Sequence, residues 1–189
     1  MALCYDNDVL VISEHPKLTI EGLKRTFRLK GDNSESPTIY RGANLNIVEN
    51  ESGSKCWTMF LEDYVKMTVQ NVEDHLKGIN QSLPTKCKVP VSPGYSPAVY
   101  EIPDLDEDGI KTYQELIGVL RWEIEIGRVD IILEVALIST HLEIQRKGHL
   151  EKVYPIFRYL KQRSRRRLFF DTEHPDISGE SFTRLNWEY

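Results

Sequence analysis

Residues 78–109 limit the possible folds more than any other segment, because they combine many prolines with few helical repeats of apolar residues. The prolines are Pro84, Pro90, Pro93, Pro97 and Pro103. Proline has a fixed φ and no backbone N–H, which excludes it from helix interiors and central strands. A connection of this length is also uncommon inside a compact domain. The sequence therefore predicts a linker over residues 78–109 that runs extended across a surface.

Residues 1–77, before this linker, mix strand and helix patterns. Pro16 suits the first turn of a short amphipathic helix. Residues 39–48 predict one strand that contains Gly42, and residues 56–59 predict the next strand after a turn. Helical spacing of apolar residues then continues from residue 61 to residue 76. These patterns predict an α+β fold.

Residues 110–171, after the linker, predict three helices and a short strand at residues 165–171. Their apolar stripes begin at Tyr113, Ile131 and Leu150. Gly118 in the first stripe predicts a close approach of two helices. Pro155 falls inside the third stripe, where a proline costs about 3 kcal/mol or kinks the helix, so we expect a kink or break there. Residues 172–189 predict a poorly ordered tail.

Composition narrows the class of protein only broadly. The chain of 189 residues is 40% hydrophobic and 28% charged, with a net charge of −5. This balance argues against a wholly basic nucleic-acid binder. No stretch of about 18 apolar residues is present, so we expect no membrane partner. The N-terminus lacks a secretory signal pattern, and the three cysteines are widely spaced, which predicts an intracellular protein, cytoplasmic or nuclear.

Tyr5-Asp6-Asn7-Asp8 lies between two apolar runs, residues 2–5 and residues 9–13, that predict the strands of a hairpin. Carboxylates that converge at such a turn can bind a catalytic metal ion. Residues two apart in an extended chain point to the same side, so Asp6 and Asp8 could converge. The alternative is structural, because Asp and Asn are favoured in tight turns of any function.

Four further motifs follow this hairpin in a fixed order. They are Tyr40-Arg41-Gly42-Ala43, the segment Tyr113 to Trp122, the segment Gly127 to Ile131, and His149 followed by Tyr159-Leu160-Lys161. In order and spacing they resemble copia-type retrotransposon polyproteins at the end of the reverse transcriptase, and the hairpin resembles the Tyr-x-Asp-Asp hairpin of the polymerase palm. The resemblance covers roughly residues 2–170.

This resemblance implies the remainder of a palm and the start of a thumb in residues 1–77, and a helical thumb or connection segment in residues 110–171. It also implies RNA-directed DNA polymerisation with Mg²⁺, on an RNA or DNA template–primer, alongside other parts of a polyprotein.

The chain departs from the family pattern at the hairpin. Aligned on Tyr5, the two metal-binding Asp of the family fall on Asn7 and Asp8, and the strand with the third Asp is missing. Asn7 is therefore a degenerate catalytic position, Asp8 the remaining Mg²⁺ ligand, and Asp6 a candidate substitute. We expect no tightly bound metal and no polymerase activity from this chain alone.

Two other segments carry candidate sites. A basic segment near the end of the third helix could neutralise phosphates of a nucleic acid, or could be a solvated helix end. Its members are Arg158, Lys161, Arg163, Arg165, Arg166 and Arg167. An acidic loop matches the EF-hand pattern for Ca²⁺, although no helix leads into it. Its candidate ligands are Asp104, Asp106, Asp108 and Glu115.

Overall fold

The structure, a computed structural model, describes the backbone of residues 2–5, 8–29, 36–85, 87–90, 103–143 and 145–170. Side chains are described in these ranges from residue 9 onward. These parts of the chain contain five α-helices, a two-stranded sheet and a four-stranded antiparallel sheet. The predicted α+β fold is confirmed. None of the described helices is long and apolar enough to cross a membrane.

The N-terminal hairpin forms as predicted, with strands β1 (Ala2–Tyr5) and β2 (Asp8–Val11). The two strands are antiparallel, and Tyr5 pairs with Asp8. Helix α1 (Pro16–Thr26) follows, with Pro16 in its first turn. Proline is favoured there because the first backbone N–H groups of a helix have no intrahelical acceptor.

The four-stranded sheet has the order β3-β4-β5-β6. Its strands are β3 (Ile39–Tyr40), β4 (Ala43–Glu49), β5 (Lys55–Phe60) and β6 (Arg167–Phe170). Strand β6 lies far along the chain from the other three, so its pairing with β5 joins the C-terminal helical region to the sheet. The predicted short strand at residues 165–171 is thus present and pairs with β5.

The prediction of one continuous strand over residues 39–48 is wrong. Tyr40 pairs with Ala43, so Arg41 and Gly42 form a two-residue turn between β3 and β4. Both turn residues have positive φ, 52° at Arg41 and 84° at Gly42. Positive φ at both central positions defines the type I′ turn, whose twist matches that of paired strands.

Replacing Gly42 by alanine is expected to lower the free energy of unfolding by about 1 kcal/mol, measured by urea denaturation. A Cβ at Gly42 would meet nothing within 4 Å, so the loss comes from the backbone conformation. Gly118→Ala is the control, because a Cβ there also meets nothing within 4 Å, contrary to the predicted close helix approach. Gly118 lies inside a helix, so G118A should stabilise by about 0.5–1 kcal/mol. Equal effects of the two substitutions would contradict the assigned turn.

Four helices enclose the core. They are α2 (Glu62–Gly78), α3 (Glu107–Glu125), α4 (Ile132–Ser139) and α5 (Lys147–Gln162), with a 3-10 helix at Val129–Ile131 before α4. Helix α5 is central, because α2, α3 and α4 all pack against it. Its buried apolar residues include Val153, Ile156, Phe157 and Leu160.

The described ends of the Pro-rich segment contact this core. Leu83 is 7% exposed near the start of the segment, and Leu105 is 9% exposed near its end. Helix α3 begins at Glu107, three residues before the predicted helical segment at residue 110. The predicted division into residues 1–77, 78–109 and 110–171 stays a prediction. The predicted tail, residues 172–189, lies outside the described residues.

Pro155 does not break α5. The helix runs without interruption from Lys147 to Gln162 with Pro155 inside it, so a break there is wrong, while a kink at Pro155 stays a prediction. Residues on both sides of the proline, including Tyr154, Ile156 and Phe157, are buried against the core. We attribute the continuity to this packing, which offsets the hydrogen bond that proline cannot donate.

Candidate functional site

The candidate metal-binding residues lie where β1 connects to β2. The pairing of Tyr5 with Asp8 leaves residues 6 and 7 as the connection between the strands. Asp6 and Asn7 lie outside the described residues, and only the backbone of Asp8 is described. The hairpin predicted from the sequence is therefore present, while the roles of Asp6, Asn7 and Asp8 as ligands stay predictions.

The acidic loop does not bring its four candidate ligands together. Asp106 instead caps α3, because its Oδ1 accepts a hydrogen bond from the backbone N–H of Gly109 at 2.9 Å. Asp104 pairs with Arg146 as an isolated β-bridge, and Glu115 lies 4.0 Å from the Nζ of Lys111. Asp108 and Glu115 both belong to α3. Over the described residues, no group of three or more His, Cys, Asp or Glu side chains could hold a metal ion.

Three of the six cations of the basic segment form polar contacts with α2 or the Pro-rich segment. Arg158 donates to the carbonyl of Thr85 at 2.9 Å, and Lys161 contacts the carboxylate of Glu73 at 2.7 Å. Arg165 lies 3.0 Å from Glu62, also on α2. These contacts join the end of α5 to α2 and to the start of the Pro-rich segment. They give the segment a structural role that the run of cations in the sequence did not reveal.

The remaining cations of the basic segment lie over aromatic rings. The guanidinium of Arg163 is 5.5 Å from the ring centre of Tyr159, and that of Arg167 is 4.7 Å from Phe60. Arg166 lies near Tyr159 and 3.8 Å from Asp130. Arg163, Arg165 and Arg167 nevertheless remain exposed, and the side chain of Arg165 is 83% exposed. A guanidinium that stacks on a ring at the surface keeps N–H donors available for a phosphate.

A buried ion pair lies next to this segment. Arg128 is 2% exposed, and it donates from Nε and Nη2 to the two carboxylate oxygens of Asp130 at 2.9 Å and 3.0 Å. Burial alone would raise the pKa of Asp130. The hydrogen bonds and charge of Arg128, with smaller contributions from Tyr159 and Arg166, outweigh burial and lower that pKa. Both residues lie in the motif Gly127 to Ile131, and nothing in that motif predicts that they pair.

A second buried carboxylate lies close by on α3. Glu123 is 0% exposed, and its Oε1 lies 2.9 Å from the Oγ1 of Thr68 on α2. Burial raises the pKa of Glu123 to about 7, although Thr68 and Arg128 act in the opposite direction. The sequence contained a signal for this burial, because Glu123 continues the helical stripe of Tyr113, Ile117 and Leu120.

Two histidines stack where α5 begins, His141 from the loop after α4 and His149 from the first turn of α5. The rings of His141 and His149 have centroids 4.3 Å apart and an interplanar angle of 22°. Burial and the neighbouring His149 lower the pKa of His141. The Nδ1 of His149 accepts a hydrogen bond from the backbone N–H of Arg146 at 3.2 Å, which helps to start α5. This geometry gives His149 a structural role at the start of α5.

A shallow cleft of about 240 Å³ lies between α2 and α3, with α5 beneath it. Thr68, Val72 and His75 line one wall, and Leu116 and Val119 line the other. Thr68 thus contributes both to this cleft and to the contact with the buried Glu123. Asn71, Thr112 and Glu115 also line the cleft, so polar and apolar side chains share its walls.

Comparison with known proteins gives one informative match. The chain is 26% identical over 156 residues to a transposon Ty5-1 protein of Saccharomyces cerevisiae. The match covers 82% of this chain and 47% of the yeast protein, so the chain spans about half the length of that relative. No family model matches the chain. No solved structure matches it. The similarity supports a retrotransposon-related protein.

Proposed function

We propose that the chain is the C-terminal part of a copia-type reverse transcriptase and is inactive as a polymerase by itself. It comprises the end of the palm, with the catalytic hairpin, followed by the thumb or connection segment. The order of the motifs supports this proposal, as does a similarity to a transposon protein that extends over 82% of the chain. The relative is about twice as long, which leaves room for the rest of a polymerase on a longer polypeptide.

The observation that carries the proposal is the β1–β2 hairpin. Its register leaves residues 6 and 7 as the connection and places Asp8 at the first position of β2. A tight antiparallel hairpin with Asp beside the turn is the geometry that the family resemblance requires. The rest of the motif order then follows along the chain at the expected positions.

The residues present do not fit a pair of catalytic Mg²⁺ ions. Two-metal nucleotidyl transfer needs several carboxylates on ions about 3.5–4 Å apart. Asn7 stands at one of the two family positions in the hairpin, and an amide carries no charge to balance a divalent ion. Among the described residues, no cluster of acidic, histidine or cysteine side chains supplies the missing ligands. We therefore assign no metal-dependent step to this chain.

We infer that its remaining contribution is contact with the nucleic-acid backbone through Arg163, Arg165 and Arg167. These three side chains are exposed around the end of α5 and the start of β6. Arg165 also pairs with a carboxylate on α2, but its side chain is 83% exposed, against 44% for Lys161, which donates to both oxygens of Glu73. Arg158 donates to a backbone carbonyl. The partner is an RNA or DNA template–primer in an intracellular compartment, either the cytoplasm or the nucleus. Other parts of the same polyprotein complete the palm.

Binding to a fluorescent primer–template duplex tests this function. Affinity should fall between 50 and 300 mM salt, because each neutralised phosphate releases a counterion, with a log–log slope of about 0.9 per contact. Arg165→Gln/Arg167→Gln should weaken binding and lower the slope by roughly 1–2. Lys77→Gln/Lys111→Gln removes the same charge from two exposed lysines outside the basic segment and should leave the slope unchanged.

Two results would contradict the proposed contact with the nucleic-acid backbone. The first is salt-independent binding, which would argue against phosphate contacts. The second is an equal loss for the two double substitutions, since a general effect of net charge does not depend on position. Primer extension above background with Mg²⁺ or Mn²⁺ would overturn the assignment of inactivity.

A further inference from the structure

The hydroxyl group of Thr68 contacts two oxygen atoms but has only one hydrogen to donate. The Oγ1 of Thr68 lies 2.9 Å from Glu123 and 3.0 Å from the carbonyl oxygen of Val65. A hydroxyl group carries a single hydrogen but can also accept. Both contacts can therefore be hydrogen bonds only if Thr68 donates to Val65 and a protonated Glu123 donates to Thr68.

Burial favours the same protonated form. Glu123 is 0% exposed and Thr68 is 5% exposed, so the carboxyl group is shielded from bulk water. The second oxygen of Glu123, Oε2, has no hydrogen-bond partner among the described residues. An ionised carboxylate in such a place would leave charge on an oxygen without a donor, which is costly in a low-dielectric interior. A neutral acid instead uses its hydrogen for Thr68.

The charged groups around Glu123 come from several elements. Arg128, at the turn after α3, favours the ionised form, while Asp130 in the 3-10 helix opposes it. Tyr64 on α2 is coupled to Glu123, which raises the pKa of that phenol in addition to burial. Tyr159 on α5 and Arg166, which lies between α5 and β6, act on Asp130. Arg128 is held through Nε and Nη2 by both oxygens of Asp130, and its Nη1 makes no hydrogen bond to Glu123.

We propose that Glu123 and Thr68 form a proton-dependent latch between α3 and α2, closed when Glu123 is protonated and loosened when it is ionised. Thr68 also lines the cleft between these helices. On ionisation, Thr68 donates its hydrogen to Glu123 and gives up the bond to Val65, which offsets the buried charge only in part because Oε2 still has no donor. The latch thus links proton release from Glu123 to a loosening of the contact between two helices that both pack on α5.

The sign of the pH dependence follows from the raised pKa, about 7 in the folded protein against an ordinary 4.5. Between these values the folded state binds more protons than the unfolded state, so stability falls as pH rises. The contribution is fully present below pH 4.5 and is lost as pH rises through about 7. The titration of Glu123 alone should raise the unfolding equilibrium constant on the order of a hundredfold across this window.

Urea denaturation from pH 4.5 to pH 8.5 tests the latch in wild type and in Glu123→Gln. The amide of glutamine donates to Thr68 as a protonated carboxyl does but does not titrate. The free energy of unfolding of E123Q should therefore increase relative to that of the wild type as pH rises through 7. His141 is present in both proteins, so its titration does not contribute to this difference. Glu125→Gln, on an exposed carboxylate of the same helix, should keep the wild-type profile.

Two direct measurements keep the proposal testable if E123Q folds poorly. In the wild type, the ¹³C signal of the Glu123 carboxyl should titrate near pH 7, and amide exchange in α2, corrected for intrinsic rates, should speed up above that pH. Thr68→Val should raise the carboxyl midpoint, because it removes a bond that lowers the pKa, while Thr68→Ser should restore it. A carboxyl that titrates near 4.5, or identical pH profiles for wild type and E123Q, would overturn the latch.

Discussion

Arg128→Met should lower the free energy of unfolding by about 3–5 kcal/mol, as measured by urea denaturation at pH 7. Methionine is uncharged and fits a similar volume, so the loss comes from the ion pair and not from a large cavity. Asp130 is 16% exposed, and without Arg128 its charge would rely on Tyr159 and a more distant Arg166. Removal of one member of a buried pair is costly because the other charge stays buried without compensation.

A matched arginine and a double substitution separate this explanation from general damage. Arg121 is exposed and lies 3.3 Å from the hydroxyl of Ser139, so Arg121→Met should change stability by less than about 0.5 kcal/mol. Arg128→Met/Asp130→Leu should be less destabilised than Arg128→Met alone, since it removes the stranded charge. An additive double substitution, or a loss below about 1 kcal/mol for R128M, would show that the pair does not stabilise the fold.

The regular elements could be predicted from the sequence because each has a local signal. Apolar spacing predicted α2, α3, α4 and α5, and Pro16 marked the start of α1. The hairpin was predicted from two apolar runs around a turn motif, and β6 from a short strand pattern. In each of these elements the local preference agrees with the tertiary packing, which is why a single sequence suffices.

The errors lie where packing or a turn overrides the local pattern. The pattern at residues 39–48 predicted one strand with Gly42 inside it, yet Arg41 and Gly42 form a turn that divides this segment into two strands. Pro155 predicted a kink or break, yet α5 does not break there, because the residues on either side of the proline are buried against the core. An unfavourable local preference costs a few kcal/mol at most, and the burial of apolar surface by a well-packed core helix can offset that cost.

The buried polar network was beyond sequence reasoning for a different reason. Thr68 and Glu123 are 55 positions apart, and nothing in either segment indicates that they meet. The contacts of Lys161 with Glu73 and of Arg165 with Glu62 span 88 and 103 positions. A run of cations therefore suggested a nucleic-acid site, while its role in joining α5 to α2 depends on the three-dimensional arrangement.

Phe157→Ala should lower the free energy of unfolding by about 3–5 kcal/mol, because it leaves a cavity at the centre of the helical core. Phe157 is 0% exposed on α5 and lies at the base of the cleft between α2 and α3. Phe169→Ala removes the same side chain from a position that is 56% exposed, so it should cost far less. Equal losses for the two substitutions would contradict the position of Phe157 in the core.

The same substitution tests whether the helices and the sheet unfold together. Trp122 lies on α3 and Trp57 on β5, so tryptophan fluorescence reports on both parts, while circular dichroism reports mainly on the helices. Strand β6 follows α5 directly and pairs with β5, which ties the sheet to the helix that F157A weakens. We therefore expect both signals to shift by the same amount in one transition. If the circular dichroism transition moved and the fluorescence of a protein with only Trp57 did not, the helices and the sheet would be separate cooperative units.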